Sequence, residues 1–263
     1  MSPRTPTQET RIKRAVIGQS PSAIAYHVAR EVLEFPERRD PILLLAPTTK
    51  LAEEIHAALK FFLSEKGGGR HLPEVLSFSG WEVLPFDGLS PTSSVTASRI
   101  LCLYKLWTKQ PAVVVLTPGV FMQKLPRPDR FFAHSVNLRV GAKVDREELL
   151  QSLDLLGYLR STLVEELGQL AVRGAVLDIF PPGLPFPARV ELFGEHIESL
   201  RLFDPESQRS SSEREELTIL PIRELCFPWD GLPAEESERL RQESKLRLRD
   251  RASDLQISLR RVG

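Results

Sequence analysis

The chain has 263 residues, with 35 lysines and arginines balanced by 35 aspartates and glutamates. This length exceeds that of a typical single-domain core and favours one large and one small domain. Because the formal net charge is zero, no global field draws the whole molecule to nucleic acid or to anionic lipid, and charge-driven binding must be local. The two cysteines, Cys102 and Cys226, lack the close spacing of a zinc knuckle or a redox motif, so we interpret them as small apolar residues in a reducing compartment.

The amino-terminal residues give no sign of a targeting signal. Residues 1–14 lack the apolar core of a signal peptide, and the longest aliphatic run, residues 42–46, is far too short to span a bilayer. We therefore expect a soluble, cytoplasmic protein.

Residues 14–125 alternate short apolar runs with amphipathic stretches, which is the pattern of βα units around a parallel sheet. Strands are predicted at residues 15–18, 41–46 and 112–117. Between them two stretches keep the apolar spacing of a helix and are predicted core faces: Leu51, Ile55, Ala58, Leu59 and Phe62 in the first, and Ile100, Leu103, Tyr104 and Trp107 in the second.

Residues 18–25 occupy the place where a phosphate-binding loop would follow the first strand. Such a loop needs a second glycine, a lysine for the β and γ phosphates and a hydroxyl for Mg²⁺. After Gly18 these places hold Ala23, Ile24 and Ala25, and Pro21 removes a backbone N–H from the cradle. Since Ile24 also joins the apolar stripe of the following helix, the pattern indicates a degenerate loop without ATP chemistry. An ordinary βα turn, never related to nucleotides, remains the alternative.

The pattern of predicted secondary structure changes after the proline-rich residues 126–128. A helix is predicted with Asp145 as N-cap and Glu148 completing a capping box, and strands are predicted at residues 175–180, 188–193 and 196–203. We assign residues 1–132 to a helicase-like α/β domain and residues 133–220 to an inserted small α+β domain. Residues 221–263 are expected to return to the first domain and to end in a charged helix.

The sequence gives no catalytic or metal-binding constellation. Asp178 is predicted to be a half-exposed strand residue, and the five histidines form no metal-ligand spacing. We expect no cofactor and no enzymatic activity.

Alternation along residues 188–193 divides the strand into two faces. If Val190 and Leu192 face the core, then Arg189, Glu191 and Phe193 face solvent. An exposed aromatic beside an arginine is typical of a protein-binding hot spot. The alternative is that Phe193 lies under a loop and Arg189 pairs with Glu191.

Two segments carry a family resemblance. The first is residues 81–87 (WEVLPFD) with the downstream SP at 90–91 and ASR at 97–99; the second is residues 173–181 (RGAVLDIFP) with 189–204 (RVELFGEHIESLRLFD) and SQR at 207–209. Together they closely resemble the amino-terminal UvrB-homology module of the bacterial transcription-repair coupling factors (Mfd). The likeness runs from about residue 15 to about residue 225.

The resemblance implies a helicase-like first domain, interrupted by a small domain that recruits the nucleotide-excision-repair protein UvrA. In that family the module keeps the UvrB shape without its ATPase motifs, while RNA polymerase and DNA are engaged through other domains. The matching motif positions give the UvrA-contacting role to Arg173, Arg189 and Phe193, and Glu191 shares their predicted face. Because those other domains are missing, we expect a fragment or a reduced relative.

A second hypothesis is a DNA-binding or residual nucleotide-binding module related to UvrB. The charged tail after residue 239 is rich in arginine, and a steep salt dependence of DNA binding would favour this hypothesis, since phosphate contacts release counterions. The stretch between residues 79 and 97 is too short for the DNA-locking β-hairpin of UvrB. We therefore expect weak or no direct DNA binding.

The degenerate loop predicts that the chain does not bind ATP. Ile24 and Ala25 replace the lysine and the hydroxyl that phosphate and Mg²⁺ require, so a fluorescent ATP analogue titrated with Mg²⁺ should show no saturable binding. Saturation at micromolar concentration, lost on altering the Gly18 loop, would contradict this prediction.

Overall fold

The computed structural model of the protein describes residues 20–35, 40–66, 72–81, 91–132 and 135–224. The fold is mixed α/β, with one parallel sheet and a larger, mainly antiparallel sheet. None of the helices in these ranges is both long and apolar enough to cross a membrane.

The first part of the chain forms helices and parallel strands in alternation. Its elements are α1 (Pro21–Glu34), β1 (Ile42–Leu45), α2 (Thr49–Lys66), β2 (Glu74–Phe78), α3 (Ser93–Trp107), β3 (Ala112–Leu116), α4 (Pro118–Phe121) and α5 (Pro128–Phe132). The second part contains β4 (Val136–Arg139), α6 (Arg146–Leu155), β5 (Leu159–Arg160), β6 (Gln169–Arg173), β7 (Val176–Ile179), β8 (Ala188–Phe193), β9 (His196–Phe203), β10 (Ser210–Arg214) and β11 (Glu216–Ile219).

The parallel sheet has the order β1-β3-β2 and is covered on both faces. β3 lies in the centre and is buried along its whole length, as a strand with helices on both sides requires. Val113 and Val115 face a cluster with α1 and α2, whereas Val114 and Leu116 face a cluster with α3. The predicted strands at 41–46 and 112–117 are confirmed, while the prediction missed β2. The strand predicted at 15–18 lies outside the described residues.

Helix α1 shows where the residues of the degenerate loop lie. Ser20 caps the helix by accepting a hydrogen bond from the backbone N–H of Ala23 at 3.2 Å. Ala25 is fully buried and Ile24 packs, half-buried, against the same cluster, which confirms that Ile24 belongs to the apolar stripe. Gly18 lies outside the described residues, so the phosphate-loop ancestry of this turn stays a prediction.

Helix α3 buries Cys102 completely. Burial raises the pKa of its thiol to about 12, so this cysteine behaves as the small apolar residue that its spacing predicts. Cys226 lies outside the described residues.

The six-stranded sheet of the second part has the order β10-β9-β8-β7-β6-β5. One face packs on α6 to form the largest core cluster, in which Leu150 and Leu153 meet Leu177 and Val190. Asp145 caps α6 by accepting hydrogen bonds from the N–H groups of Glu147 and Glu148, as predicted. β7, β8 and β9 match the predicted strands. The prediction missed β4, β5, β6, β10 and β11.

An arginine joins the first part of the chain to the segment that follows the small sheet. Arg99 is fully buried, and its Nε donates to Oε1 of Glu224 at 2.5 Å while NH1 donates to the carbonyl of Ser79 at 2.6 Å. The guanidinium lies over the rings of Phe78 and Trp81, 4.7 and 4.2 Å from their centroids. Trp81, the first residue of the family-like segment 81–87, thus contacts this cation.

We predict that Arg99→Ala destabilises the protein strongly, because it leaves the carboxylate of Glu224 buried beside a cavity. Loss of one partner of a buried ion pair costs about 3–5 kcal/mol, which urea unfolding would measure. The control is Arg127→Ala, which removes an exposed pair with Asp129 and should cost less than about 1 kcal/mol. Equal unfolding midpoints for the two variants would contradict the prediction.

Candidate protein-docking site

The candidate site lies on the face of the six-stranded sheet that points away from α6. Pairing across the strands places Ala171, Asp178, Arg189 and Arg201 in one row. Val190 and Leu192 point to the core between these positions, so the predicted alternation of β8 is confirmed. All polar residues of the row therefore share the outer face.

Two tight hairpins bring the ends of this face together. The β6–β7 hairpin turns at Gly174 and the β8–β9 hairpin turns at Gly194, both with φ near +60°, a conformation that glycine adopts without steric cost. Since β6 and β8 run in the same direction, both turns lie at the same end of the sheet. Arg173 and Phe193, the residues immediately before the turns, consequently lie at that end as well.

Asp178 is the buried centre of the site. Its residue surface is only 1% exposed, so the prediction of a half-exposed strand residue was wrong. The reason is that its neighbours cover it: Oδ1 accepts from Nε of Arg189 at 2.7 Å, and Oδ2 accepts from NH2 of Arg189 at 2.9 Å and also from NH2 of Arg173. A carboxylate tolerates burial when cations bind it in this way.

Arg189 is held on several sides. Besides its two bonds to Asp178, it stacks on the ring of Phe203, 4.5 Å from the centroid, and contacts Oε1 of Gln208 at 3.4 Å. The hydrogen bond to Asp178 raises the pKa of the guanidinium above its ordinary value. The alternative in which Arg189 pairs with Glu191 is wrong, because the carboxylate it binds belongs to the neighbouring strand.

The loop after β9 positions a hydrogen-bond acceptor for Arg189. Asp204 accepts hydrogen bonds from the N–H groups of Glu206 and Ser207, and the bonds to Ser207 lower the pKa of its carboxyl. The turn brings Gln208 back, with its side-chain nitrogen bound to the carbonyl of Pro205, so that its oxygen faces Arg189. The loop thus fixes one acceptor of the arginine.

Arg173 and Phe193 are the exposed members of the site. The side chain of Arg173 is 48% exposed although one end binds Asp178, and Phe193 is 77% exposed. The alternative in which Phe193 lies under a loop is therefore wrong. An exposed phenylalanine and a half-exposed guanidinium at one end of a sheet offer apolar area and hydrogen-bond donors to a partner.

Glu191 belongs to a second polar group on the same face. Its Oε2 accepts from the hydroxyl of Ser199 at 2.7 Å and lies 3.6 Å from NH1 of Arg201, which also approaches Glu213. Sequence reasoning missed Arg201, Phe203 and Gln208. No local pattern signals Arg201: it lies opposite Arg189 only because the register of β8 and β9 shifts between Glu191 and Leu192.

The other candidate residues do not join this site. Ala23, Ile24 and Ala25 lie in α1, against the parallel sheet. Among the described residues no three histidine, cysteine, aspartate or glutamate side chains gather as a metal site.

Comparison with known proteins places this face inside a recognised domain. Residues 136–225 match the family model of the UvrB interaction domain. The chain is 34% identical over 200 residues to the transcription-repair-coupling factor of Escherichia coli and 36% identical over 201 residues to that of Myxococcus xanthus; each match covers 76% of this chain and 17% of the relative. The factor of Haemophilus influenzae is 32% identical over 189 residues, which are 72% of this chain and 16% of the relative.

The chain thus spans about a sixth of the length of these relatives. Its residues 136–225 match the UvrB interaction domain, and 76% of the chain is similar to part of the transcription-repair-coupling factors.

Proposed function

We propose that this chain is a non-catalytic docking module that binds UvrA and so couples stalled transcription to nucleotide-excision repair. The observation that carries the proposal is the outer face of the small sheet, where two arginines converge on one buried carboxylate and an exposed phenylalanine lies at the same end of the sheet as Arg173. This face lies within the segment that matches the UvrB interaction domain.

The chemistry of the face suits a protein partner. Phe193 exposes most of its ring, and a large rigid side chain contributes contact area at a small cost in conformational entropy. Arg173 can still offer donors to a carboxylate or a carbonyl of the partner, because a guanidinium carries five N–H groups in a planar fork. Glu191 would add an acceptor on the same face.

The domain organisation proposed from the sequence gains support from the way β4 pairs with β11. These strands join the two ends of the small unit, with Val136 opposite Ile219, so residues 136–219 form a segment whose ends meet. Such an insertion would place the docking face on a unit of its own. In longer relatives, contacts with RNA polymerase and DNA would then belong to regions outside it.

We predict that Phe193→Ala weakens UvrA binding about thirtyfold, the effect of a hot-spot loss near 2 kcal/mol, and leaves the melting temperature unchanged because the ring is exposed. Calorimetric titration of purified UvrA would measure the affinity. The matched control is Phe186→Ala, which removes another exposed phenylalanine of the same unit and should bind UvrA like the parent.

Arg173→Ala should weaken UvrA binding by a similar factor, with only a small loss of stability, since half of its side chain already faces solvent. Parent-like affinity in both folded variants, Phe193→Ala and Arg173→Ala, would refute the proposed docking face. A parent chain that shows no binding to UvrA in the same titration would refute the proposed function itself.

A further inference from the structure

We propose that Asp178 is a positioning residue of the docking face: its carboxylate sets the direction of both arginines and thereby determines the affinity for the partner. This inference rests on the proposed function. It concerns a residue that, at 1% exposure, lies too deep to offer a partner much contact of its own.

The geometry gives Asp178 this role. Both of its oxygens are used by Arg189, and Oδ2 is shared with Arg173. Because the NH2 atoms of the two arginines meet at the same oxygen, the two guanidiniums lie side by side. They come from strands on either side of β7, with Arg189 directly opposite Asp178 in the sheet register. One buried atom therefore sets the spacing between two donors on the surface.

The charges support the same conclusion. Two guanidiniums face one carboxylate, so the group keeps an excess of one positive charge. Arg189 is bound in a forked, two-bond geometry and is 17% exposed, whereas Arg173 is 48% exposed. The more exposed of the two cations is therefore Arg173, and it lies at the same end of the sheet as Phe193.

Without the carboxylate, both arginines would turn independently. A long flexible side chain that is already held in its binding geometry loses less conformational entropy when a partner binds. Asp178→Asn keeps the shape of the side chain but removes the charge and one of the two acceptor oxygens. We expect this change to release the arginines and weaken UvrA binding at least about tenfold, as loss of a preorganised contact does.

The test compares the parent, Asp178→Asn, Arg189→Ala and the double variant in calorimetric titrations with UvrA, with melting temperatures recorded for each. If Asp178 acts through the two arginines, the double variant loses less affinity than the sum of the losses in Asp178→Asn and Arg189→Ala, because effects within one network of neighbouring residues are not additive. Asp154→Asn is the control: it removes an exposed ion pair with Arg160 on the opposite side of the unit and should bind like the parent.

A second variant and a spectroscopic measurement keep the test independent of how well Asp178→Asn folds. Arg189→Lys retains the charge but loses the fork, so it should bind UvrA nearly as weakly as Arg189→Ala. In ¹⁵N spectra of the free chain, the Nε–H signal of Arg189 should exchange slowly with water in the parent. It should exchange much faster in Asp178→Asn.

The outcomes are separable. Parent-like affinity of folded Asp178→Asn, fully additive losses, full binding by Arg189→Lys, or an unchanged Nε–H signal would each overturn the positioning role. If the parent fails to bind UvrA, the proposed function falls. The Nε–H signal then still decides whether Asp178 orients the arginine.

Discussion

The outer face of the small sheet depends on the burial of a single carboxylate. An isolated charge inside a protein is too costly to keep, so Asp178 can lie at 1% exposure only because it is paired, with Arg189 on both of its oxygens and Arg173 on one of them. The dependence is mutual. Arg189 is drawn onto the sheet by the same bonds and completes its position against the ring of Phe203. The same hydrogen bonds thus keep the carboxylate of Asp178 buried and hold Arg189 on the outer face of the sheet.

This constraint separates the two faces of the small sheet by chemistry. The inner face is aliphatic and packs on α6, so it supplies stability that tolerates little change. The outer face carries its own polar network and ends in Phe193, which contributes nothing to that core at 77% exposure. A protein that keeps such a ring in water gains no folding energy from it. Its position at a hairpin end leaves it free for the partner surface that the proposed function requires.

Local patterns predicted the elements that have clear local causes. The capping group of Asp145, the apolar stripe of α3 and the outward direction of Phe193 follow from spacing alone, and the structure has all three. The environment of Asp178 did not follow, because its burial depends on Arg173 and Arg189, which reach it from two other strands. Strand β2 and the short edge strands were missed for a related reason: their pairing partners, rather than their own composition, hold them in the sheet.

The resemblance added what the spacing lacked, since it selected the same two arginines before their common carboxylate was visible. It left their arrangement open, and the alternative pairing of Arg189 with Glu191 was wrong. A pairing between neighbours on one strand competes with a pairing across strands, and sequence distance favours the first. The register of β7 and β8 decides for the second, because it places the carboxylate of Asp178 directly opposite the arginine.

Two of the described arginines each bind a buried carboxylate through two hydrogen bonds, and these two arginines differ in their exposure to solvent. Arg99 and Arg189 each bind a buried carboxylate in a fork and lie over an aromatic ring, Glu224 and Phe78 in one case and Asp178 and Phe203 in the other. Arg99 is completely buried and joins two distant stretches of chain. Arg189 keeps part of its surface in water, with a second arginine beside it on the same oxygen.

A guanidinium that stacks on a ring and forms two hydrogen bonds with one carboxylate is therefore held rigidly, but these contacts alone do not identify a binding site. What distinguishes the site on the small sheet is the surplus cation, which the carboxylate holds but does not neutralise. An ion pair with a purely structural role would not need Arg173, since the guanidinium of Arg189 already occupies both oxygens of Asp178. The second guanidinium, that of Arg173, is anchored at one end and remains 48% exposed, and the proposed function would use this exposed part to meet an acceptor on the partner.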